Sequence, residues 1–256
     1  MKIIQGTQAY EVLRVIGCTV EYPRQALNLM EGHTGWVKRV VRQLLKERYI
    51  SIYKRGRTIR SLRVLQKGQQ AMRDAGVNEM DFYKPERVDG DAKKLYRTHR
   101  TAESWVMMKR AGVTVYPSEK PTEFNNQGQP LYYTSSELKY NQDVTQNVSG
   151  SKFTGILMTG GQNTLVYNTH NSLMNWNTQK EQAVGTYYLY EGVPISSSII
   201  FGRDMSTVSE IFKSNGRKGK RESVLQADTG FTHSYFIPVS SDGIRLLKLM
   251  SICRAV

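Results

Sequence analysis

The chain has 256 residues, of which 39% are hydrophobic and 23% charged, and its formal net charge is +14 at pH 7. This composition is typical of one large or two ordinary globular domains and excludes a chain that is disordered throughout. No run of about 18 apolar residues occurs and the first residues do not resemble a signal peptide, so we expect a cytoplasmic protein that does not associate with membranes. The only cysteines, Cys18 and Cys253, exclude a disulfide scaffold and a Cys-based zinc site.

Most of the positive charge lies in the first third of the chain. Residues 1–76 hold 15 Lys and Arg residues against 5 Asp and Glu residues, whereas residues 77–256 hold 21 against 17. A basic balance alone suits DNA, RNA or an anionic membrane. The choice among these partners therefore depends on which predicted elements carry the charge.

The chain is predicted to begin with three helices, followed by a β-hairpin and a closing helix. The first helix spans residues 8–17 and ends at Gly17. The second spans residues 24–30, with Pro23 in its first turn, where proline is tolerated. The third has Thr34 as its candidate N-cap. A compact, mainly helical unit is therefore expected at this end of the chain.

The third helix has one apolar stripe and one basic face. The stripe is made, at positions i, i+3, i+4, i+7 and i+8, by Val37, Val40, Val41, Leu44 and Leu45. This spacing fits a helix and no strand. The opposite face carries Trp36, Lys38, Arg39, Arg42, Gln43 and Lys46. We expect the valines and leucines to pack inward and the cations to face outward.

Two β-rich runs follow, over residues 49–53 and 58–65, and the Gly-centred segment Lys54–Arg57 between them predicts a tight turn. A helix over residues 67–75 closes the unit. The hairpin and its exit carry the basic residues Lys54, Arg55, Arg57, Arg60, Arg63 and Lys67. A basic helix followed by a hairpin with a cationic tip is typical of a winged helix-turn-helix, whose recognition helix enters a major groove while the wing lies along phosphates. A three-helix core without a true wing is the alternative.

The density of like charge in this region indicates an anionic partner, because such a run repels itself otherwise. The predicted DNA-binding residues are Trp36, Lys38, Arg39, Arg42, Lys46, Lys54, Arg55, Arg57 and Arg60. Phosphate contacts would position the protein, and side chains early in the recognition helix would read bases. A solvated basic face is the alternative.

Residues 77–91 are polar and irregular and are predicted to be a linker to a second domain over residues 92–256. That domain begins with a long helix over residues 92–111, which Gly112 ends. Its further strands are predicted over residues 113–116, 131–138, 153–158, 164–168, 198–201 and 234–239, and its further helices over residues 178–190, 206–215 and 242–250. The fold class is therefore α+β, a winged helix-turn-helix followed by a mixed α/β domain whose hairpins disfavour an all-parallel sheet.

One triplet of the second domain is a candidate for catalysis. Glu137-Leu138-Lys139, at the end of a predicted strand, matches the E-x-K half of the PD-(D/E)xK nuclease motif, in which carboxylates hold Mg²⁺ and a Lys lies near the attacking water. Glu103 on the preceding helix is a candidate second carboxylate, but no Pro-Asp lies on the strand before the triplet. We therefore expect no catalysis, cofactor or metal, with a Mg²⁺-dependent nuclease or nickase as the alternative.

The histidines predict no metal-dependent relaxase. None of them belongs to a His-hydrophobe-His pair, and they lie far apart at His33, His99, His170 and His233. His99, on an apolar helical stripe, is expected to be a core residue. A second basic loop, expected either to contact the DNA backbone or to be solvated, comprises Lys213, Arg217, Lys218, Lys220 and Arg221.

Several segments of the chain resemble a known family. They are EYPRQALNLMEG, LYRTHRTAESWVMMKRAGVTVYPSEKP, LYYTSSELK, SKFTGILM with TLVYNTHNSLMNW, and IIFGRDMS. Over most of its length the chain resembles the replication-relaxation-type winged-helix proteins of Gram-positive conjugative and other mobile elements. The resemblance implies a DNA-binding winged helix, a C-terminal α/β domain similar to restriction-endonuclease folds, and a role in replication, transfer or regulation. It implies no catalytic residues.

These features predict a non-catalytic protein of a mobile element that binds double-stranded DNA sequence-specifically. Its site would be an origin of transfer, a replication origin or a promoter. The second domain would provide a surface for homo-oligomers or for replication and transfer proteins of the element. Besides a nuclease, the alternative is a protein-interaction module. In that case the winged helix would have only a structural role, and the positive charge would only keep the protein soluble.

Overall fold

A computed structural model describes residues 2–56, 59–82, 92–121, 129–141, 151–160, 162–169, 184, 195–203, 206 and 233–253. These residues form a mixture of helices and strands with two separate sheets, so the predicted α+β class is confirmed. Apart from Val184 and Ser206, the predicted helices over residues 178–190 and 206–215 lie outside the described residues. The second basic loop also lies outside them.

The chain divides into two compact units. The first comprises Met1–Val106 with Tyr116–Lys120, and the second comprises Met107–Val115 with Pro121–Val256. Residues 92–106 therefore belong to the first unit, whereas the sequence pattern assigns them to the second domain. The long helix that contains these residues begins in one unit and ends in the other.

The first unit has a helical part and a three-stranded sheet. In chain order its elements are α1 (Gln8–Cys18), β1 (Tyr22–Pro23), a 3₁₀ segment (Arg24–Leu29), α2 (Thr34–Lys46), β2 (Ile50–Arg55), β3 (Ile59–Val64), α3 (Gln66–Asp74), α4 (Glu79–Phe82) and the first part of α5 (Ala92–Arg110). The strand order is β1–β3–β2, and both pairings are antiparallel. The central strand β3 therefore receives the hairpin strand β2 on one side and the short β1 on the other.

The core of the first unit lies between α1, α2, α3 and the sheet. Its fully buried side chains include Leu13, Ile16, Tyr22, Leu44, Leu62 and Met72. The stripe predicted for the third helix is confirmed at its centre, because Val37, Val41 and Leu44 are buried in α2. Val40 and Leu45 lie at the edges of the stripe and are half-buried.

Several predicted boundaries in this unit are wrong. Gly17 does not end α1 but lies inside it, where a Cβ atom would come within 2.9 Å of Met72 Cε. The glycine therefore allows close packing of α1 against Met72 and does not form a turn. Pro23 belongs to β1, opposite Ser61, and the segment after it is a kinked 3₁₀ helix instead of an α-helix. The N-cap of α2 is His33 instead of Thr34. Four residues of the predicted linker, Glu79–Phe82, form α4.

The second unit is built on a mixed five-stranded sheet. Its elements are the end of α5, β4 (Leu131–Thr134), α6 (Ser135–Asn141), β5 (Phe153–Thr159), β6 (Gln162–Asn168), β7 (Ile195–Gly202), β8 (His233–Pro238) and α7 (Ser241–Cys253). The strands follow the order β4–β5–β6–β7–β8. The pairings from β4 to β6 are antiparallel and those from β6 to β8 are parallel, which confirms that the sheet is not all-parallel.

A tight apolar core covers one part of this sheet. Its buried members include Leu131, Tyr133, Phe153, Ile156, Leu165 and Ile200.

The predicted strand over residues 113–116 is reduced to a single bridge between Thr114 and Leu131. Gly112, with a φ of +90°, ends α5 as predicted. None of the helices among the described residues has the length and apolar character needed to cross a bilayer.

Candidate nucleic-acid interface

Helix α2 presents a cationic face to solvent. The imidazole of His33 accepts a hydrogen bond from the Gly35 N–H at 3.2 Å and so fixes the start of the helix. Because Val37 and Val41 point into the core, the opposite side is exposed along the whole helix. The exposed basic residues there are Lys38, Arg39, Arg42 and Lys46. The structure therefore brings these four predicted residues together on one helix.

The charges of this face are not neutralised within the described part of the chain. None of the four cations forms an ion pair there, and α2 contains no acidic residue. Lys38, Arg42 and Lys46 follow one another at four-residue spacing, and each such like-charged neighbour pair destabilises a helix by about 0.2–0.5 kcal/mol. The positive end of the helix dipole adds to this potential near the start of α2, whereas the negative end stabilises Lys46 in the last turn. The face therefore attracts anions, and without a bound anion the repulsion among its cations slightly destabilises the helix.

The hairpin carries a second group of cations. Lys54 is exposed and lies directly opposite Arg60 across the strands, a like-charged pair that is itself unfavourable. Arg60 is half-buried and donates hydrogen bonds to the carbonyl oxygens of Gly56 and Ile59, so its guanidinium is held at the hairpin tip. Gly56 has a φ of +56°, which confirms a turn at this glycine, but Lys54 and Arg55, predicted to be in the turn, belong to β2. Arg55 is half-buried, and Arg57 lies outside the described residues.

Two basic residues near the hairpin have structural contacts. Arg63 is buried, and its guanidinium forms an ion pair with the fully buried carboxylate of Glu21 and stacks 3.6 Å from the Tyr53 ring centroid. Lys67 donates a hydrogen bond to the Glu47 carbonyl at 2.9 Å. Arg63 therefore does not add to the exposed positive charge of the hairpin, although the sequence places it in the same basic run.

Trp36 lies beside the cations of α2. It is the third residue of the helix, and 55% of its surface is exposed. Its side chain makes no ring contact or hydrogen bond with any described residue. The interface thus includes one large aromatic side chain on an otherwise polar face.

Glu137 has a structural role that the sequence pattern missed. The predicted strand over residues 131–138 ends at Thr134, and Glu137 lies in the first turn of α6. Its carboxylate accepts hydrogen bonds from the Thr134 N–H at 2.8 Å and the Thr134 hydroxyl at 2.7 Å, while that hydroxyl accepts from the Glu137 N–H at 3.3 Å. These reciprocal bonds are a capping box, so the E-x-K triplet is not at a strand end.

The other acidic and histidine candidates are not grouped as metal ligands. Glu103 is buried in the part of α5 that belongs to the first unit, whereas Glu137 belongs to the second. Among the described residues, no three His, Cys, Asp or Glu side chains are placed to share a metal ion. His99 is buried and lies 2.7 Å, through Nε2, from the Ser61 hydroxyl, which confirms the prediction that it is a core residue.

The first unit also contains a buried charged cluster that sequence reasoning missed. The fully buried carboxylate of Asp81 accepts hydrogen bonds from Arg14 at 2.9 Å and from the N–H and hydroxyl of Ser118 at 3.0 and 2.9 Å. The same guanidinium also pairs with Glu119 and lies over the Tyr116 ring. Burial raises the pKa of the Tyr116 hydroxyl far above its ordinary value. These contacts join α1 to α4 and have a structural role.

Comparison of the chain with family models, with curated proteins and with solved structures gives no match.

Proposed function

We propose that the first unit is a winged helix-turn-helix and that the protein binds specific sites in double-stranded DNA. The observation that carries this proposal is the face of α2, where four exposed cations lie on one helix without a carboxylate partner among the described residues. DNA supplies one phosphate charge per about 1.7 Å of helix axis, so a duplex is the partner that neutralises such a face at many points.

The arrangement of elements supports the same proposal. Helix α2 follows a short helical segment and leads directly into an antiparallel hairpin, as in the winged form of the motif. In this assignment α2 is the recognition helix and β2–β3 is the wing. Arg39 and Arg42 lie near the middle of the exposed face, and Arg is the side chain best suited to the O6 and N7 atoms of guanine. Lys54 and Arg55 would contact phosphates.

The biological setting of the proposal comes from the resemblance to mobile-element proteins. We infer a cytoplasmic protein that binds an origin of transfer, a replication origin or a promoter, with the second unit serving oligomerisation or partner binding. We also propose that it does not cleave DNA. The capping role of Glu137 supports this proposal, because its carboxylate is already engaged by Thr134.

The test uses a duplex selected by the full-length protein from a random-sequence library. Arg39→Ala and Arg42→Ala should each weaken binding by about 1–3 kcal/mol, and each should relax the preference at one base position. Arg245→Ala is the matched control, because Arg245 is an 82% exposed arginine on α7 of the second unit. Equal losses on every sequence would reduce both residues to phosphate contacts. Failure to bind any duplex in a salt-dependent way would favour the protein-interaction alternative.

A further inference from the structure

The position of Trp36 is unusual for a tryptophan. Tryptophan is usually highly buried, yet more than half of this side chain is exposed in the first turn of α2. A single exposed apolar residue needs no explanation by itself. One of its neighbours on the helix surface makes this case different, because Arg39, three residues on, is a cation of the proposed recognition helix.

Helical geometry places Trp36 on one flank of the cationic face. With about 100° of rotation per residue, Trp36 lies about 60° from Arg39 and about 20° from Gln43 around the helix axis. The buried stripe centred near Val37 and Val41 lies on the side of Trp36 that faces away from Arg39. An aromatic side chain on this flank lies beside Arg39 and is placed to reach a group next to the one that Arg39 contacts.

The chemistry of the indole then restricts what it can recognise in a duplex. It carries no charge and cannot neutralise a phosphate. Its single N–H can donate one hydrogen bond, but most of its surface is apolar and gains most from contact with another apolar group. Residues near the start of a recognition helix contact base edges in the major groove. The apolar group that base edges present there is the C5-methyl of thymine.

We infer that Trp36 is a specificity-determining residue that packs against a thymine methyl group next to the base read by Arg39. This inference rests on the proposed function. It assigns the two side chains different tasks: the arginine selects a guanine by hydrogen bonding, and the tryptophan selects a thymine by apolar contact. The preferred site should accordingly contain a G and a T at neighbouring positions.

The experiment replaces each thymine of the library-selected duplex, one at a time, by deoxyuridine, which lacks only the methyl group. Burial of one methyl group corresponds to about a fourfold change in affinity, so wild type should lose about fourfold at one position. Trp36→Ala should bind the thymine and deoxyuridine duplexes equally, and Trp36→Phe should retain part of the difference. Met80→Ala is the control, because Met80 is another exposed apolar side chain of the first unit and lies outside α2.

The outcomes separate this inference from the proposed function. Tight, salt-dependent binding by wild type with no deoxyuridine effect at any position overturns the role of Trp36 and leaves DNA binding intact. A deoxyuridine effect that is as large in Trp36→Ala as in wild type also overturns it, because another side chain then contacts the methyl group. A wild-type protein that binds no duplex overturns both. Circular dichroism of each variant verifies that the exposed substitutions leave the fold unchanged.

Discussion

Arg63 and Lys54 lie on the same hairpin, yet their replacement by alanine should have very different effects on the free energy of unfolding. Arg63 is 8% exposed and pairs with Glu21, which is 0% exposed, whereas Lys54 is exposed and has no acidic partner among the described residues. Arg63→Ala leaves a buried carboxylate without its counter-charge, which costs about 3–5 kcal/mol. Lys54→Ala, at an exposed site, should change the free energy of unfolding by less than about 0.5 kcal/mol.

The assays for this prediction are urea denaturation, which gives the free energy of unfolding, and thermal denaturation, which gives the Tm, both followed by tryptophan fluorescence. Trp105 is buried in the first unit against Tyr116, so its emission reports unfolding of that unit. For a unit of this size each kcal/mol lowers the Tm by about 4–8 °C, so Arg63→Ala should lower it by at least about 12 °C. Replacing Glu21 and Arg63 together by leucine should recover most of the loss, because apolar pairs often replace buried ion pairs without cost.

The reasoning is refuted if Arg63→Ala unfolds within about 1 kcal/mol of wild type, since removal of one partner from a buried ion pair costs more than that. It is also refuted if Arg63→Ala keeps full stability but weakens DNA binding and lowers its salt slope by about 0.9, the effect expected for loss of one phosphate contact. In that case the guanidinium would face DNA and not Glu21.

Two further variants test the wing and the capping box. Replacing Lys54, Arg55 and Arg57 together by alanine should weaken binding to every duplex similarly. In a binding titration the slope of log K against log salt should fall by about 2.7, at about 0.9 per phosphate contact. Unchanged affinity and slope would show that the hairpin does not contact DNA. Glu137→Ala should destabilise the second unit by about 1 kcal/mol through loss of the cap, as measured by denaturation, and leave DNA binding unchanged. Neither wild type nor this variant should nick supercoiled DNA with Mg²⁺; cutting by wild type that disappears in Glu137→Ala would show that the protein is a nuclease.

Features of the fold that depend on local spacing could be predicted from the sequence. The apolar stripe of α2 and the Gly56 turn are of this kind, because helix periodicity and turn chemistry are properties of a few neighbouring residues. The exposed cations of α2 follow from the same periodicity. The candidate interface could therefore be located before the structure was available.

Features that depend on distant partners could not be predicted in this way. Arg63 and Glu21 are separated by 42 positions, and β1, which brings Glu21 beside β3, is only two residues long and shows no alternating pattern. The capping role of Glu137 could have been predicted from the sequence, because Thr134 and Glu137 have capping-box spacing. The β-rich residues before them instead favoured a continuous strand.

The most direct measurement is the salt dependence of duplex binding by the face of α2. Fluorescence anisotropy would compare wild type with a variant in which Lys38, Arg39, Arg42 and Lys46 are all glutamine, over about 50–200 mM salt. If Lys38 and Lys46 contact phosphates while Arg39 and Arg42 read bases, the slope of log K against log salt should be about 1.8 smaller in the variant, at about 0.9 per phosphate contact, and affinity at low salt should fall steeply. An unchanged slope and affinity would contradict the assignment of α2 as the DNA-binding helix.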